Sequence, residues 1–425
     1  MTKKTQKRPW AVFVAIVLAI AFGSYVGRHT SVFDITFYAM ADTAGAIFLN
    51  ALMLVVVPLV SSSIISGIAR IGNEGAFGRL GGKMFLFYIG TSLLAILIGL
   101  FFVNLIAPGT DYAGAPPGLE EGDASALKEK MMQKGAGALL EVLMSIVPSN
   151  IVAAFSRGEM LGLIFFSILF GYALSKIEGQ ASSVLQSFFQ GIFQTMIQVT
   201  QIIMKFLPIG VFCLVAKVFM STGVSSLKSV SLFFVAVMLG LIVFMFIGLP
   251  LLLKWVARVS PIRHFQAMGP ALATAFSTSS SSATLPITMD CVEKRAGVSN
   301  RICSLVVPLG TSINMSGSAL YECVAAIFVA QAYGVELNFA TQFLIVLLSL
   351  VTSIGVAGIP SASLVAIIII LRVVGLPVEG IGLFVAVDRL LDMCRTTVNV
   401  FSDSCCAILV AKSEGEDEVL SKPIL

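Results

Sequence analysis

Between residues 388 and 403 the chain reads Asp-Arg-Leu-Leu-Asp-Met-Cys-Arg-Thr-Thr-Val-Asn-Val-Phe-Ser-Asp, within a long apolar run. On a helix each residue turns by about 100°. With Asp388 at zero, Asp392 falls near ~40°, Arg395 near ~−20°, Thr396 near ~80°, Asn399 near ~20° and Asp403 near ~60°. Leu390, Met393, Val398, Val400 and Phe401 fall outside that arc. One face is thus polar and the rest greasy. Ionisable groups in a membrane-spanning run mark a substrate or ion pathway by default. The bland alternative is an ion-paired seam between helices. The face has more acids than bases, and Thr396 and Asn399 add neutral oxygens, which favours the pathway.

A second constellation lies upstream. Asn314-Met-Ser-Gly-Ser318 interrupts an apolar segment, and Asn314, Ser318 and Glu322 recur every four residues, so a helix puts them on one face. Unwound carbonyls at such a break can coordinate a small cation, with side-chain oxygens completing the shell. Glu322 stands among Tyr321, Cys323 and Val324, where desolvation disfavours its charge. Its alternative role is a salt bridge to Arg389 or Arg395.

These groups need elements to hold them. The chain has 425 residues, 57% hydrophobic and 12% charged, against about 25% charged in a soluble domain. Mean hydropathy is +0.97. Runs of roughly 20 apolar residues recur, which implies a polytopic helical membrane protein. A net charge of +4 gives no hint of nucleic acid. The seven cysteines form no disulfide or transition-metal pattern, and Cys405 and Cys406 read as packing residues. His29 and His264 sit at segment ends. Lys3, Lys4, Lys7 and Arg8 place the N-terminus in the cytoplasm, and the acidic tail beyond Lys412 ends there too.

Helices are expected at about 10–27, 32–69, up to 107, within 134–176, 187–218, 228–254 and 302–331, with a last one carrying Arg395. Residues 108–133 form a polar external loop. Two segments differ. Ser277-Thr-Ser-Ser-Ser-Ser-Ala-Thr284 interrupts one, and Gly355-Val-Ala-Gly-Ile-Pro-Ser-Ala-Ser363 the other. Each apolar half is too short to cross, so each segment is expected to be a re-entrant hairpin. Ser280 to Met315 and Pro360 to Arg395 are both 35 positions apart, so a hairpin followed by a polar-centred helix occurs twice. The hairpins enter from opposite sides, an inverted repeat whose irregular backbone lines a site. Serine hydroxyls and helix N-terminal N–H groups at the first tip suit a carboxylate.

The motifs Ser-Ser-Ser at 280–282, Asn-Met-x-Gly at 314–317, Gly-Ile-Pro-x-x-Ser at 358–363 and Asp-x-x-x-Asp-Met-x-Arg-Thr-x-x-Asn-Val-x-x-Asp at 388–403 resemble the dicarboxylate/amino acid:cation symporter family. That family includes archaeal aspartate transporters and excitatory amino acid transporters, and the resemblance covers nearly the whole chain. It implies an all-α homotrimeric elevator-type transporter with eight transmembrane helices plus two hairpins. Scaffold helices would lie at 10–80 and 134–218, and transport-domain helix 3 at 81–107. The rest of the transport domain, 228–412, would hold hairpin 1 at about 258–294 and hairpin 2 at about 337–375.

The resemblance also implies roles. Arg395 would hold the cargo's side-chain carboxylate and Asp392 its amino group. Thr396 and Asn399 would contact the amino-acid moiety, and Ser280, Ser281 and Ser282 its α-carboxylate. Ala357 and Gly358 would form the external gate. Asp403 with the backbone of Gly310, Asn314 and Asn399 would form a sodium site, and Ser312, Ser353 and Ile354 part of another. Tyr88, Thr91 and Ser92 match a third, deepest site. There the family motif has an aspartate where this chain has Ser316, so that site loses its charged oxygen. Arg389, beside Asp388, supplies a charge that archaeal members place at Ser279. Glu322 matches the proton-carrying glutamate of the mammalian carriers.

The expected function is symport of L-glutamate or L-aspartate, with protons carrying much of the coupling and sodium reduced or dispensable, in a bacterial inner membrane, with no other cofactor. A C4-dicarboxylate carrier would leave Asp392 facing an anion, and a sodium-only glutamate symporter is the other alternative. A channel is disfavoured by two closed tips, and an intramembrane serine protease by the lack of a histidine near the serines.

Overall fold

A backbone in an apolar surrounding must satisfy its N–H and C=O groups within its own segment, which makes helix the default. The computed structural model describes residues 8–26, 30–32, 35–72, 77–110, 147–157, 160–222, 226–355 and 363–421. They are helical apart from links and one small ladder, in which Ser31 pairs with Thr36 and Val32 with Ile35. In chain order the helices are α1 (Arg8–Val26), α2 (Phe37–Gly72), α3 (Phe77–Ile106), α4 (Ile151–Arg157), α5 (Met160–Leu174) and α6 (Gln180–Ile203). Then follow α7 (Leu207–Thr222), α8 (Ser226–Val243), α9 (Leu249–Trp255), α10 (Pro261–Thr278) and α11 (Ser281–Asp290). The last five are α12 (Asn300–Ile313), α13 (Ser316–Ala332), α14 (Phe339–Gly355), α15 (Ser363–Val374) and α16 (Val385–Ser413).

Among the described residues, three helices are long and apolar enough to cross a membrane: Arg79–Ile106, Leu227–Trp255 and Asn300–Ala332. The pair α6 and α7 makes a fourth if counted as one span. The chain is thus multi-pass in composition. The single helix expected at 187–218 is instead two, bent by 58° at 204–206. Pro208, in the first turn of α7, lacks the N–H that would continue the ladder from α6. Pro250 acts more mildly. It follows a π turn at Phe244–Gly248, and the helix stays continuous. The expected break in 302–331 is present, with Asn314 and Met315 outside helical geometry.

The first expected hairpin is α10 and α11, joined by Ser279 and Ser280 and packed together. The second is α14 and α15. Its tip at 356–362, with Ala357, Gly358 and Pro360, lies outside the described residues, as does 111–146, which contains most of the expected external loop.

Helices α1, α2, α5, α6 and α7 pack mainly on one another. A second group gathers around α13 and α16: α3, α8, α14 and α15 lie against α13, while α10 and α12 lie against α16. Helix α13 is buried at every residue from Ser316 to Ala330. The polar face of α16 therefore looks into the interior of this group. His264, expected at a segment end, lies in the first turn of α10, buried against Phe401 with Nε2 2.9 Å from Ser404 Oγ. Ser404 donates its own proton to Phe401 O, so His264 donates to Ser404. The pair is a structural hydrogen bond and lacks the base geometry of a protease.

Close helix approach can be tested at Gly23. A Cβ there would lie 2.7 Å from Ala216 O and 2.8 Å from Phe219 Cβ, both on α7. Gly23→Ala is expected to lower stability by about 1–3 kcal/mol, read as a fall in thermal unfolding midpoint in detergent. An unchanged midpoint would mean that α1 and α7 do not pack this closely.

Candidate functional site

Helix α16 carries the charge. Asp388, Asp392 and Arg395 are three and seven residues apart in register, so two turns of helix bring them together. Arg395 is fully buried. Its Nη2 donates to Asp388 Oδ1 at 3.0 Å and to Asp392 Oδ1 at 2.9 Å. The guanidinium lies 3.7 Å over the Tyr321 ring, and the Tyr321 hydroxyl donates to Asp388 Oδ1 at 2.9 Å. A desolvated cation over a ring gains about 2 kcal/mol. Arg389 Nη1 reaches Asp392 Oδ2 at 3.5 Å. Among the described residues, Nε and Nη1 of Arg395 have no hydrogen-bond partner. Both acids that could take an ammonium group thus already hold the arginine, which keeps open donors for an anion. Thr396 is buried one residue on.

One turn further, Asn399 closes the start of α13. Its Oδ1 accepts from Gly317 N at 2.8 Å and Ser318 N at 3.3 Å, and its Nδ2 donates to Ser318 Oγ at 3.1 Å. These are orphan donors of a helix N-terminus, satisfied across the helix break. Asp403 Oδ1 accepts from Asn314 Nδ2 at 2.9 Å, while its buried Oδ2 has no partner among the described residues. Gly310 lets this carboxylate in: a Cβ there would lie 2.6 Å from Asp403 Oδ1. Gly310, Asn314 and Asp403 thus converge, and Asn399 lies one helical turn before Asp403 on α16.

Beneath them is a cluster of neutral groups. Thr91 Oγ1 donates to Asn314 Oδ1 at 3.1 Å, Ser316 Oγ donates to the same oxygen at 2.9 Å, and Ser92 Oγ lies 3.1 Å from Ser316 Oγ. Ser402 Oγ lies 3.1 Å from Ser316 Oγ, and the Tyr88 hydroxyl donates to Val306 O. The expected third-site residues are gathered, with no carboxylate among them. Ser353 is buried on α14, donates to Leu350 O at 2.8 Å, and is followed by half-buried Ile354, while α14 packs on α12, which carries Ser312.

Glu322 is fully buried on α13. Its Oε2 accepts from Thr352 Oγ1 at 2.8 Å and its Oε1 has no partner among the described residues. Among the described residues it makes no ion pair, so the alternative bridge to Arg389 or Arg395 is absent. At the hairpin tip, Ser279 adopts a left-handed conformation (φ 51°) and Ser280 caps α11, accepting from Ala283 N at 3.2 Å. Ser281 is buried and Ser282 exposed.

Sequence reasoning missed Tyr321, Thr352, Ser402 and Cys406, whose Sγ lies 3.6 Å from Thr91 Oγ1. Tyr321 and Ser402 are direct neighbours of Glu322 and Asp403, which was the available signal. Thr352 carried none, because its partner is 30 residues away.

The Gly310–Asp403 approach is testable by a double-mutant cycle on thermal stability. Gly310→Ala should destabilise by about 1–3 kcal/mol, and Asp403→Ala should remove most of that cost when combined with it. Additive effects would place the two residues apart.

Residues 9–413 match the model of the sodium:dicarboxylate symporter family. The chain is 37% identical to a proton/sodium-glutamate symport protein of Bacillus caldotenax, covering 96% of this chain and 94% of the relative. It is 34% identical to a proton/glutamate-aspartate symporter of Escherichia coli (strain K12), covering 95% and 92%. It is 33% identical to a C4-dicarboxylate transport protein of Bacillus subtilis (strain 168), covering 96% and 95%. The chain belongs to the sodium:dicarboxylate symporter family, whose members are transporters and not enzymes.

Proposed function

We propose that this chain is a secondary active symporter for L-glutamate and L-aspartate, with protons carrying much of the coupling and sodium dispensable. The carrying observation is the buried Arg395, held by Asp388, Asp392 and Tyr321 with donors open at Nε and Nη1. A zwitterion with an anionic side chain fits this set. Its side-chain carboxylate takes the open guanidinium donors, and its ammonium replaces the charge that Arg395 withdraws from Asp392. Its α-carboxylate meets the α11 N-terminus at Ser280 to Ser282, where the positive end of the helix dipole favours an anion. Thr396 and Asn399 orient the backbone of the cargo. A C4-dicarboxylate, the cargo of one relative, brings two anions and no ammonium, leaving Asp388 and Asp392 against like charge.

The ion coupling follows from charge. Asp388, Asp392, Asp403 and Glu322 stand against Arg389 and Arg395, and the cargo adds one negative charge. The loaded domain needs positive charge to cross. Asp403, with the backbone of Gly310, Asn314 and Asn399, holds one sodium ion, and Ser312, Ser353 and Ile354 line a second. At the deepest site Ser316 leaves only neutral oxygens, which repay little of a sodium ion's dehydration. Glu322 carries the proton in its place. The proposed architecture is eight spans with two re-entrant hairpins, cytoplasmic termini, a homotrimer in a bacterial inner membrane, and an elevator motion of the α3 and α8–α16 group.

Two experiments in proteoliposomes test this. Arg395→Cys or Arg395→Thr should reduce acidic amino-acid uptake by at least about a hundredfold, as loss of one partner of a buried charge set costs about 3–5 kcal/mol, and should admit small neutral amino acids. Unchanged glutamate affinity would make Arg395 structural. With an inward proton gradient and no sodium, wild type should accumulate substrate and Glu322→Gln should not. No accumulation without sodium, with Glu322→Gln behaving as wild type, would restore ordinary sodium symport.

A further inference from the structure

Helix α16 does not simply end beyond the site. Gly415 takes a left-handed conformation (φ 90°), Glu416 N donates to Ala411 O at 3.1 Å and Gly415 N to Lys412 O at 3.2 Å. This pair of bonds is a Schellman stop, and it turns the chain back on itself. The eight residues that follow α16, 414–421, then lie across four other elements. The Glu414 carboxylate meets Lys83 Nζ at 2.5 Å and Arg79 Nη2 at 3.1 Å, both on α3, and Lys83 also donates to Ser413 O at 2.7 Å. Those hydrogen bonds, Lys83 first, hold the Glu414 carboxyl below the usual carboxylate range, so it is charged at neutral pH. Glu416 Oε2 accepts from Ser299 N at 3.0 Å, at the N-cap of α12. Leu420 N donates to Ala296 O at 2.9 Å and Leu420 O accepts from Arg263 Nη1 at 3.1 Å. Val419 and Leu420 are buried in the same apolar cluster as Ala257, Ala296 and Val298.

Arg263 stands in the first turn of α10, and Ala296 caps the π turn Cys291–Arg295 that continues α11, so both lie at the end of the hairpin opposite its tip. The strap therefore grips both legs at the base and ties them to α3, α12 and α16. From Arg263 to Ser279 the helix rises about 24 Å, so each degree of play at the base moves the tip by roughly 0.4 Å. Misplacement of a binding group by about 1 Å can cost about a hundredfold. Packing of α10 along α16 resists sideways motion. The strap fixes the ends of the two legs.

We propose that Glu414 and Glu416 are positioning residues of the cargo site: through the strap they set the register between the tip serines and Arg395. This rests on the proposed cargo reading of that site. It also predicts a chemical difference between the two acids. Glu416 is needed as an acceptor for one backbone N–H, which an amide oxygen can replace. Glu414 is needed as a charge between two cations, which an amide cannot replace.

The test uses full-length protein, with hydrogen exchange across 258–299 and L-aspartate uptake in proteoliposomes. In Glu416→Ala and Glu414→Ala, exchange at the hairpin base should accelerate and KM should rise about tenfold, with the maximal rate within about twofold of wild type. Glu416→Gln should behave as wild type and Glu414→Gln as Glu414→Ala. Unchanged exchange and KM in both alanine variants would overturn the proposal. So would failure of Glu416→Gln to rescue, or a fall in maximal rate and thermal midpoint with KM unmoved, which marks a merely structural strap. If wild type carries no aspartate, the cargo reading fails, and the exchange measurement still decides whether these acids fasten the hairpin.

Discussion

A guanidinium without water must find its counter-charge inside the protein, and Arg395 finds it on its own helix. Asp388 and Asp392 are placed by helical spacing alone, and Tyr321 arrives from α13 to close the face of the ring system. Breaking such a set by removing one partner costs about 3–5 kcal/mol, since the remaining charge stays buried. The close packing of α13 on α16 is therefore an electrostatic requirement as well as an apolar one. In the proposed function, it also keeps Arg395 paired with its acids until something that can replace them enters. A cargo with a carboxylate and an ammonium can do so without leaving either sign unmatched.

The break between α12 and α13 is the second constraint. A helix interrupted at depth exposes N–H groups that need acceptors, and Asn399 supplies one for Gly317 and Ser318. Asn314 bridges the other side, joining Asp403 to Thr91 and Ser316. The same polar atoms that make the break tolerable build the proposed ion path. Below them, serine and threonine hydroxyls bond to one another without a carboxylate. The Glu322 carboxyl, held by Thr352 alone, is the acid on α13 without an ion partner among the described residues.

Much of this could be read from the chain because helical spacing is deterministic over short distances. The polar face from Asp388 to Asp403 and the Asn314–Ser318–Glu322 row required only a period of 3.6 residues. The interruptions at Ser279 and Asn314 stood out against apolar sequence. What could not be read was the pairing across helices. Nothing in the chain sets Thr352 against Glu322, Cys406 near Thr91, or His264 under Ser404, since those contacts depend on how the helices pack. The split near Pro208 was misjudged for a different reason: a proline in an apolar run either kinks a helix or starts a new one, and local sequence does not choose. The grip of residues 414–421 on the hairpin was also invisible, because a polar tail gives no sign of where it docks.

The central claim is that Asp392 is reserved for an ammonium group on the cargo. Direct binding of L-aspartate and of succinate to purified wild type and Asp392→Asn measures this without the complications of transport. The account predicts that the substitution weakens L-aspartate by at least about tenfold while leaving succinate unchanged or tighter, since loss of the anion removes repulsion from a second carboxylate. Equal losses for both ligands would contradict it and place Asp392 with the fold of α16 instead of the cargo.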